Sequence, residues 1–289
     1  MKFSVSIYSF LQYFDDGRLT PIDCFQKIKD MGFDGVEMVD FVVPKDECPF
    51  EYAKKLRAES DRLGLPISNY TACANLLNED YEGEIAAIKK HVDLAEIMGC
   101  SIMRHDVASP IKAPTWKGYD SVIGLLADAC REITEYARAK GIRTTTENHG
   151  RFSQDSLRVE KLVNTVASDN FGLTLDMGNF LCVDDDPTVA VGRCAPYAFY
   201  AHAKDFIIKT AEQPDPGEGF SIPTRGGKRL RGTIIGHGDV PVKQCLRILK
   251  NAGYDGWIAI EFEGIEDCFE GVRIGLANLK KYVAEVYGG

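Results

Sequence analysis

Four side chains able to bind a metal occur in the second half of the chain, each at the end of a run of strand-forming residues. If those runs are buried strands, each side chain needs a partner, because an unpaired charge away from water costs several kcal/mol. Three carboxylates held together also repel one another unless a cation lies between them. The residues are Glu147 in TTTENHG, Asp176 in LTLDMGN, His202 in AHAKD and Glu261 in AIEFEG.

This combination predicts one divalent metal with mixed oxygen and nitrogen ligands, for which Mn²⁺, Mg²⁺, Co²⁺ and Zn²⁺ are all suitable. The alternative is that each side chain is a buried polar group paired with a helix or a lysine. His202 alone is more typical of a core histidine whose hydrogen bonds are satisfied. Its occurrence with three carboxylates at neighbouring strand ends favours the metal interpretation.

The elements that carry these residues follow a regular alternation of short apolar runs and longer segments of helical spacing. The pattern predicts strands at 3–9, 35–40, 66–72, 101–106, 143–149, 171–176, 198–204 and 256–261. It predicts helices at 21–31, 49–63, 82–98, 119–140, 155–167, 187–195, 241–252 and 268–287. Eight βα units favour a single (β/α)8 TIM barrel of the α/β class over an open doubly wound sheet.

We expect the barrel to be one domain spanning 1–289, with a long loop insertion at 206–235 after strand seven. The insertion is rich in Gly, Pro and charged residues. Long loops at barrel mouths often carry function, so this one is expected to fold over the mouth as a lid or substrate loop.

Further polar residues follow predicted strands or lie in loops next to them, where barrel enzymes place their active sites. Lys204 could contact the substrate or, equally, form a salt bridge to Asp205 or Asp176. Arg231 belongs to a basic group that could bind a phosphate or could be solvated loop charge. The candidates for substrate binding are Arg104, His105, His149, Asn179, Lys204, Arg231 and His237.

Composition limits the partners of the chain. It has 34 Lys and Arg against 43 Asp and Glu, a net charge of −9, which disfavours nucleic acid and anionic membranes as partners. Nine cysteines without a C-x-x-C pair indicate reduced thiols, and we expect a cytoplasmic protein. The sequence contains no stretch of about 18 apolar residues, so it predicts no membrane span.

In order and spacing, the phrases TTTENHG, LTLDMGN, AHAKD, IGHGDV and AIEFEG resemble the xylose isomerase-like TIM barrels of the sugar phosphate isomerase/epimerase group. That group includes inosose isomerases and dehydratases, hydroxypyruvate isomerases, ketose 3-epimerases and apurinic endonuclease relatives. The resemblance covers essentially the whole chain and is strongest from Glu147 to Glu261. It implies a carbohydrate substrate and leaves the particular sugar open.

The resemblance implies that Glu147, Asp176, His202 and Glu261 bind one divalent metal. It also implies that the two glutamates are the catalytic acid/base pair on opposite faces of the substrate carbon. Many members read Asp-x-Gly-His after strand six, whereas this chain has Asn179 in place of that histidine. The endonuclease relatives need extra histidines for a three-zinc cluster, so DNA repair is not expected.

The implied activity is a metal-dependent isomerase or epimerase of a sugar, sugar phosphate or inosose, acting through an enediolate. The alternative enzyme class is a lyase that dehydrates a keto-inositol or keto-sugar at the same metal site. A sugar-binding protein without turnover is the remaining interpretation. Whether the chain forms a homo-oligomer is left open by its sequence.

Overall fold

Eight parallel strands close into a barrel in the computed structural model, which describes residues 1–44, 46–108 and 118–288. The first strand, at Lys2–Ser6, pairs with both the second, at Gly35–Val39, and the last, at Trp257–Ile260, which closes the ring. This architecture confirms the predicted TIM barrel. The barrel strands are β1 (Lys2–Ser6), β2 (Gly35–Val39), β3 (Ile67–Ala72), β4 (Ile102–His105), β5 (Arg143–Glu147), β6 (Phe171–Asp176), β7 (Ala198–Ala203) and β11 (Trp257–Ile260).

Helices surround the barrel and cover its outer face with apolar side chains. In the helix Ile123–Arg138, for example, Leu126, Cys130, Ile133 and Ala137 recur at helical spacing and are all buried. In the described part of the chain, no helix combines the length and the apolar character needed to cross a membrane. The helices are α1 (Leu11–Asp15), α2 (Cys24–Asp30), α3 (Pro49–Leu63), α4 (Tyr81–Met98), α5 (Ile123–Arg138), α6 (Ser156–Val166), α7 (Pro187–Cys194), α8 (Val242–Asn251) and α9 (Cys268–Tyr287).

Several boundaries differ from the predicted ones. The strand predicted at 3–9 ends at Ser6, because the chain turns into a short 3-10 helix over Ile7–Phe10. The strand predicted at 143–149 ends at Glu147, and Gly150 and Arg151 then take the left-handed conformation that forms a turn. Helix α1 has too few residues to show a periodic pattern and was not predicted.

The insertion after the seventh barrel strand is a small antiparallel sheet and not a continuous loop. Its strands are β8 (Asp205–Lys209), β9 (Ile222–Pro223) and β10 (Arg229–Thr233), in the order β8-β10-β9. The backbone N–H of Arg225 donates to the carbonyl of Cys182 at 3.1 Å. Arg151 Nη2 donates to the carbonyl of Pro223 at 2.7 Å. The sheet therefore lies against the loops that follow β5 and β6, at the carboxyl end of the barrel.

We predict that Gly232→Ala destabilises the fold at the junction between β10 and the loop after β11. Gly232 forms a β-bridge with Gly264, and a Cβ at position 232 would overlap the backbone carbonyl of Glu263. The free energy of unfolding should fall by about 1–3 kcal/mol, the usual cost of forcing an extra carbon into packed structure. Urea denaturation measures this as a lower midpoint.

Gly192→Ala is the matched control, because Gly192 lies within α7 and a Cβ there meets no atom within 4 Å. Alanine at that position should raise stability by about 0.5–1 kcal/mol, since glycine is a poor helix former. Equal stability of Gly232→Ala and the unsubstituted protein would contradict the close approach at this junction.

Candidate metal centre

Four adjacent strands, β5, β6, β7 and β11, each carry one of the predicted metal ligands within one residue of their carboxyl end. The barrel order β11-β7-β6-β5 places Asp176 and His202 side by side in register, with the two glutamates on the outer strands. One ligand atom from each residue lies within 4.8 Å of all the others, so the group could hold a metal ion. Its members are Glu147, Asp176, His202 and Glu261.

Two buried atoms at the centre of this group have no hydrogen-bond partner among the described residues: His202 Nδ1 and Asp176 Oδ2. His202 Nδ1 lies 3.5 Å from Glu147 Oε1, 3.7 Å from Asp176 Oδ2 and 3.7 Å from Glu261 Oε1. Ligand bonds of about 2.0–2.2 Å place the donor atoms of one ion at roughly this spacing. The donor set and its two unpartnered atoms therefore fit a divalent ion.

The opposite ring nitrogen of His202 meets a carboxylate that sequence reasoning missed. Glu37, in the middle of β2, is fully buried, and its Oε2 lies 2.9 Å from His202 Nε2. Asn69 Nδ2 donates to the same oxygen at 2.9 Å. If Nδ1 binds a metal, Nε2 carries the proton and donates it to Glu37, an arrangement that orients metal-binding histidines in many proteins. The signal in the sequence was one charged residue inside the apolar strand GVEMV.

Cationic and amide side chains hold the two glutamates in place. Lys204 Nζ lies 2.6 Å from Glu261 Oε2, and it also donates to Asn179 Oδ1 at 3.3 Å. Asn179 Nδ2 donates to Glu147 Oε1 at 2.7 Å. Arg104 Nη2 lies 3.1 Å from Glu147 Oε2. Each glutamate therefore has a nearby cation as well as an oxygen that faces the group.

The environment separates the pKa values of the three carboxyl groups. Burial raises the pKa of Asp176 to about 6, with Lys204 opposing that rise and the two glutamates adding to it. Burial also acts to raise the pKa of Glu147, but Arg104 and His202 outweigh it and lower the pKa. For Glu261, Lys204 and His202 outweigh burial in the same way, and the pKa falls. Both glutamates are therefore held as carboxylates.

His202 is surrounded by negative charge. Burial disfavours its charged form, yet Glu37, Glu261 and Glu147 together raise its pKa well above the usual value. A metal ion must displace the proton from Nδ1 in order to bind there, so metal binding at this centre should release a proton.

A cavity of about 280 Å³ opens onto the centre from the carboxyl end of the barrel. Four of the seven residues predicted to bind substrate line it: Arg104, His149, Asn179 and Lys204. The inserted sheet contributes Ile222 to the same lining. Side chains that sequence reasoning did not select also line the cavity: Tyr8, Phe41, Asp106, Arg151, Gln154, Cys182 and Glu263.

The other three predicted residues lie outside the cavity lining in the described part of the chain. His105 is buried, with Nδ1 3.0 Å from the carbonyl of Asp106, because side chains alternate along β4 and that of Arg104 points inward. Arg231 pairs with Glu266 at 3.6 Å. His237 is exposed in the turn that follows β10. Their placement does not support contact with substrate.

The turn that contains His237 has a structural role instead. The backbone N–H groups of Gly236, Gly238 and Val240 donate to the Asp205 carboxylate at 2.8, 3.0 and 3.1 Å. These donors lower the pKa of Asp205, although burial, the larger effect, leaves it raised. The phrase GHGDV therefore anchors the start of the inserted sheet.

Comparison with known proteins identifies relatives over most of the chain. The profile of the xylose isomerase-like TIM barrel family matches residues 25–282. An inosose dehydratase of Lacticaseibacillus casei is 25% identical over 242 residues, covering 80% of this chain and 78% of that protein.

Two solved structures share the fold with little sequence identity. The IOLI protein with a bound zinc atom superposes with a TM-score of 0.76 at 17% identity, covering 99% of this chain and 98% of the other. An L-ribulose 3-epimerase superposes with a TM-score of 0.75 at 14% identity, covering 99% and 95%.

We predict that Glu37→Gln weakens metal binding without unfolding the barrel. Glutamine matches the size of glutamate but removes the negative charge that orients His202 and raises its basicity as a ligand. Loss of such a partner typically costs about 10- to 100-fold in metal affinity. Titration of the chelator-stripped protein with Zn²⁺ or Mn²⁺ measures this, and circular dichroism checks the fold. Unchanged affinity would show that Glu37 has no influence on the ligand.

Proposed function

Because this chain belongs to the xylose isomerase-like TIM barrel family, we propose that it is a metal-dependent isomerase or epimerase of a sugar, sugar phosphate or inosose. The observation that carries this proposal is the position of the two glutamates. Glu147 ends and Glu261 directly follows the two outer strands of a set of four, with Asp176 and His202 between them. A substrate carbon placed over the centre would therefore have one carboxylate on each side.

The proposed metal ligands are Glu147, Asp176, His202 and Glu261. A divalent ion held by them would act as a Lewis acid toward a carbonyl group and make the neighbouring C–H more acidic. Which divalent ion serves is left open, since the mixed oxygen and nitrogen donors suit several.

The proton transfers belong to the side chains of this chain. One glutamate, kept ionised by its neighbouring cation, removes the proton from the carbon next to the carbonyl group and produces an enediolate. The cation beside Glu261 is Lys204, and the cation beside Glu147 is Arg104. Return of a proton to the opposite face gives an epimer, and return to the adjacent carbon gives an isomer. Asn179 positions Glu147 through its hydrogen bond.

A lyase is the second candidate, and the relative that favours it is the inosose dehydratase of Lacticaseibacillus casei. Dehydration shares the first proton removal, after which the hydroxyl group on the next carbon accepts a proton from a carboxylic acid of the site and leaves as water. The two reactions separate in deuterated water. An isomerase or epimerase incorporates deuterium at carbon with no loss of water, whereas a dehydratase gives a product lighter by one water.

We predict that the purified protein binds about one divalent metal ion per chain and that chelation abolishes its activity. The physical reason is that three buried carboxylates repel one another and need a cation between them. Elemental analysis measures the stoichiometry, and addition of Mn²⁺, Co²⁺, Mg²⁺ or Zn²⁺ to the stripped protein tests recovery. A stoichiometry near zero with activity indifferent to chelator would contradict the proposal.

We predict that Glu147→Gln and Glu261→Gln each lower turnover by at least about 10²- to 10⁴-fold, the usual contribution of general acid/base catalysis. Glutamine keeps an oxygen for the metal but cannot accept the proton. The assay is C–H exchange in deuterated water on whichever ketose, ketose phosphate or inosose the unsubstituted protein exchanges. Metal content is measured in parallel.

Glu266→Gln is the control, because Glu266 pairs with Arg231 outside the cavity lining and should leave turnover unchanged. If both glutamine variants at positions 147 and 261 retained their metal and near-normal turnover, another group would have to move the proton.

A further inference from the structure

Arg151 places a guanidinium group at the cavity without a carboxylate partner. It lines the same cavity as Glu147 and Glu261, from the turn that follows β5. Its side chain donates to the carbonyl oxygen of Pro223, which is neutral, and it has no ion pair with any described residue. The segment 109–117 lies outside the described residues, and its sequence contains no Asp or Glu.

Four cations of the inserted sheet and its turns differ from Arg151 because each of the four has an acidic partner. The distances between nitrogen and oxygen in these pairs range from 3.2 to 3.8 Å. The pairs are Arg225 with Asp155, Lys228 with Asp184, Arg229 with Asp215 and Arg231 with Glu266. The charge of Arg151 therefore remains available to a ligand.

The backbone at Arg151 is held in a conformation that suits glycine better. Its φ of +64° directly follows that of Gly150 at +76°, and a residue with a Cβ adopts this region at a cost in free energy. The N–H of Arg151 donates to Gln154 Oε1 at 2.6 Å, and Gln154 Nε2 donates to the carbonyl of Asn179 at 2.6 Å. These bonds hold the turn against the loop that carries Asn179, and strain of this kind is concentrated at functional sites.

The remaining cations of the cavity lining already have anionic partners. Lys204 pairs with Glu261, and Arg104 pairs with Asp106 at 2.5 Å. His149 lies on the same lining, half exposed, with Nδ1 3.2 Å from Asp106 Oδ1. One part of the cavity thus carries the proposed metal ligands, and another offers the guanidinium of Arg151 to an anion.

We propose that Arg151 binds an anionic group of the substrate, a carboxylate or a phosphate, while the carbonyl group of the same molecule lies between Glu147 and Glu261. This rests on the proposed function and narrows it, because a neutral inosose or ketose has no such group. A guanidinium matches the paired oxygens of both anions and binds them with charge-assisted hydrogen bonds.

The test uses three six-carbon polyols that lack a carbonyl group and therefore cannot react: D-glucitol, D-gluconate and D-glucitol 6-phosphate. Isothermal titration of the metal-loaded protein gives a dissociation constant for each. At least one anionic compound should bind about tenfold or more tightly than D-glucitol, a difference typical of hydrogen bonds to charged groups. Tighter binding of D-gluconate identifies the anion as a carboxylate, and tighter binding of D-glucitol 6-phosphate identifies it as a phosphate.

Arg151→Gln should abolish this gain and leave the binding of D-glucitol unchanged, whereas Arg151→Lys should keep part of it. Arg229→Gln is the matched control, because it removes the same charge from the inserted sheet at a residue outside the cavity lining. Repeating the titrations after chelation shows whether the anion binds the metal or the arginine.

Three results would overturn the proposal: D-glucitol binding as tightly as both anions, none of the three compounds binding, or Arg151→Gln keeping the full gain. The measurement does not depend on turnover. An anion preference that requires Arg151, found together with active Glu147→Gln and Glu261→Gln variants, would uphold the anion site and refute the proposed proton transfers.

Discussion

The surrounding structure must offset the electrostatic repulsion among three buried carboxylates. Glu147, Asp176 and Glu261 converge with His202 at the carboxyl end of the barrel, within 4.8 Å of one another. Water can do little to screen them, because all but Glu261 are fully buried and Glu261 is nearly so. The two nearest cations and the histidine are arranged accordingly. Lys204 and Arg104 each lie against one glutamate, and the histidine sits between the carboxylates and the buried Glu37.

This arrangement gives the two glutamates different surroundings from the aspartate. Asp176 accepts backbone N–H bonds from Gly178 and Asn179 through Oδ1, while Oδ2 has no partner among the described residues. Its orientation is therefore set by the turn after β6, as suits a plain ligand. The glutamates instead contact buried cations that line the cavity, Arg104 for Glu147 and Lys204 for Glu261. In the proposed function these contacts keep the two carboxylates ionised, as a base that accepts a proton requires.

Much of the fold and of the candidate metal centre was predictable from the sequence. The eight barrel strands and the four candidate ligands follow from local patterns, because a strand in a barrel is short and apolar and its end is marked by polar residues. Glu37 was missed because the same rule looks for charge at strand ends, whereas Glu37 lies in mid-strand and faces inward. Two strand ends were also set too far along, since Ser9 lies in a 3-10 helix and His149 lies two residues beyond the end of β5.

Residues that shape the cavity were harder to predict, for a physical reason. His105 was selected because it ends a strand, but alternation turns it away from the cavity, and the neighbouring Arg104 and Asp106 line it. Arg151 reaches the cavity from a turn, and Ile222 reaches it from the inserted sheet. The hydrogen bond from Arg151 to the carbonyl of Pro223 joins these two segments, which are distant in sequence. The proposed metal ligands lie at or near strand ends, which local patterns reveal. The lining of the cavity depends on how loops of different strands meet, and that is determined only by the folded chain.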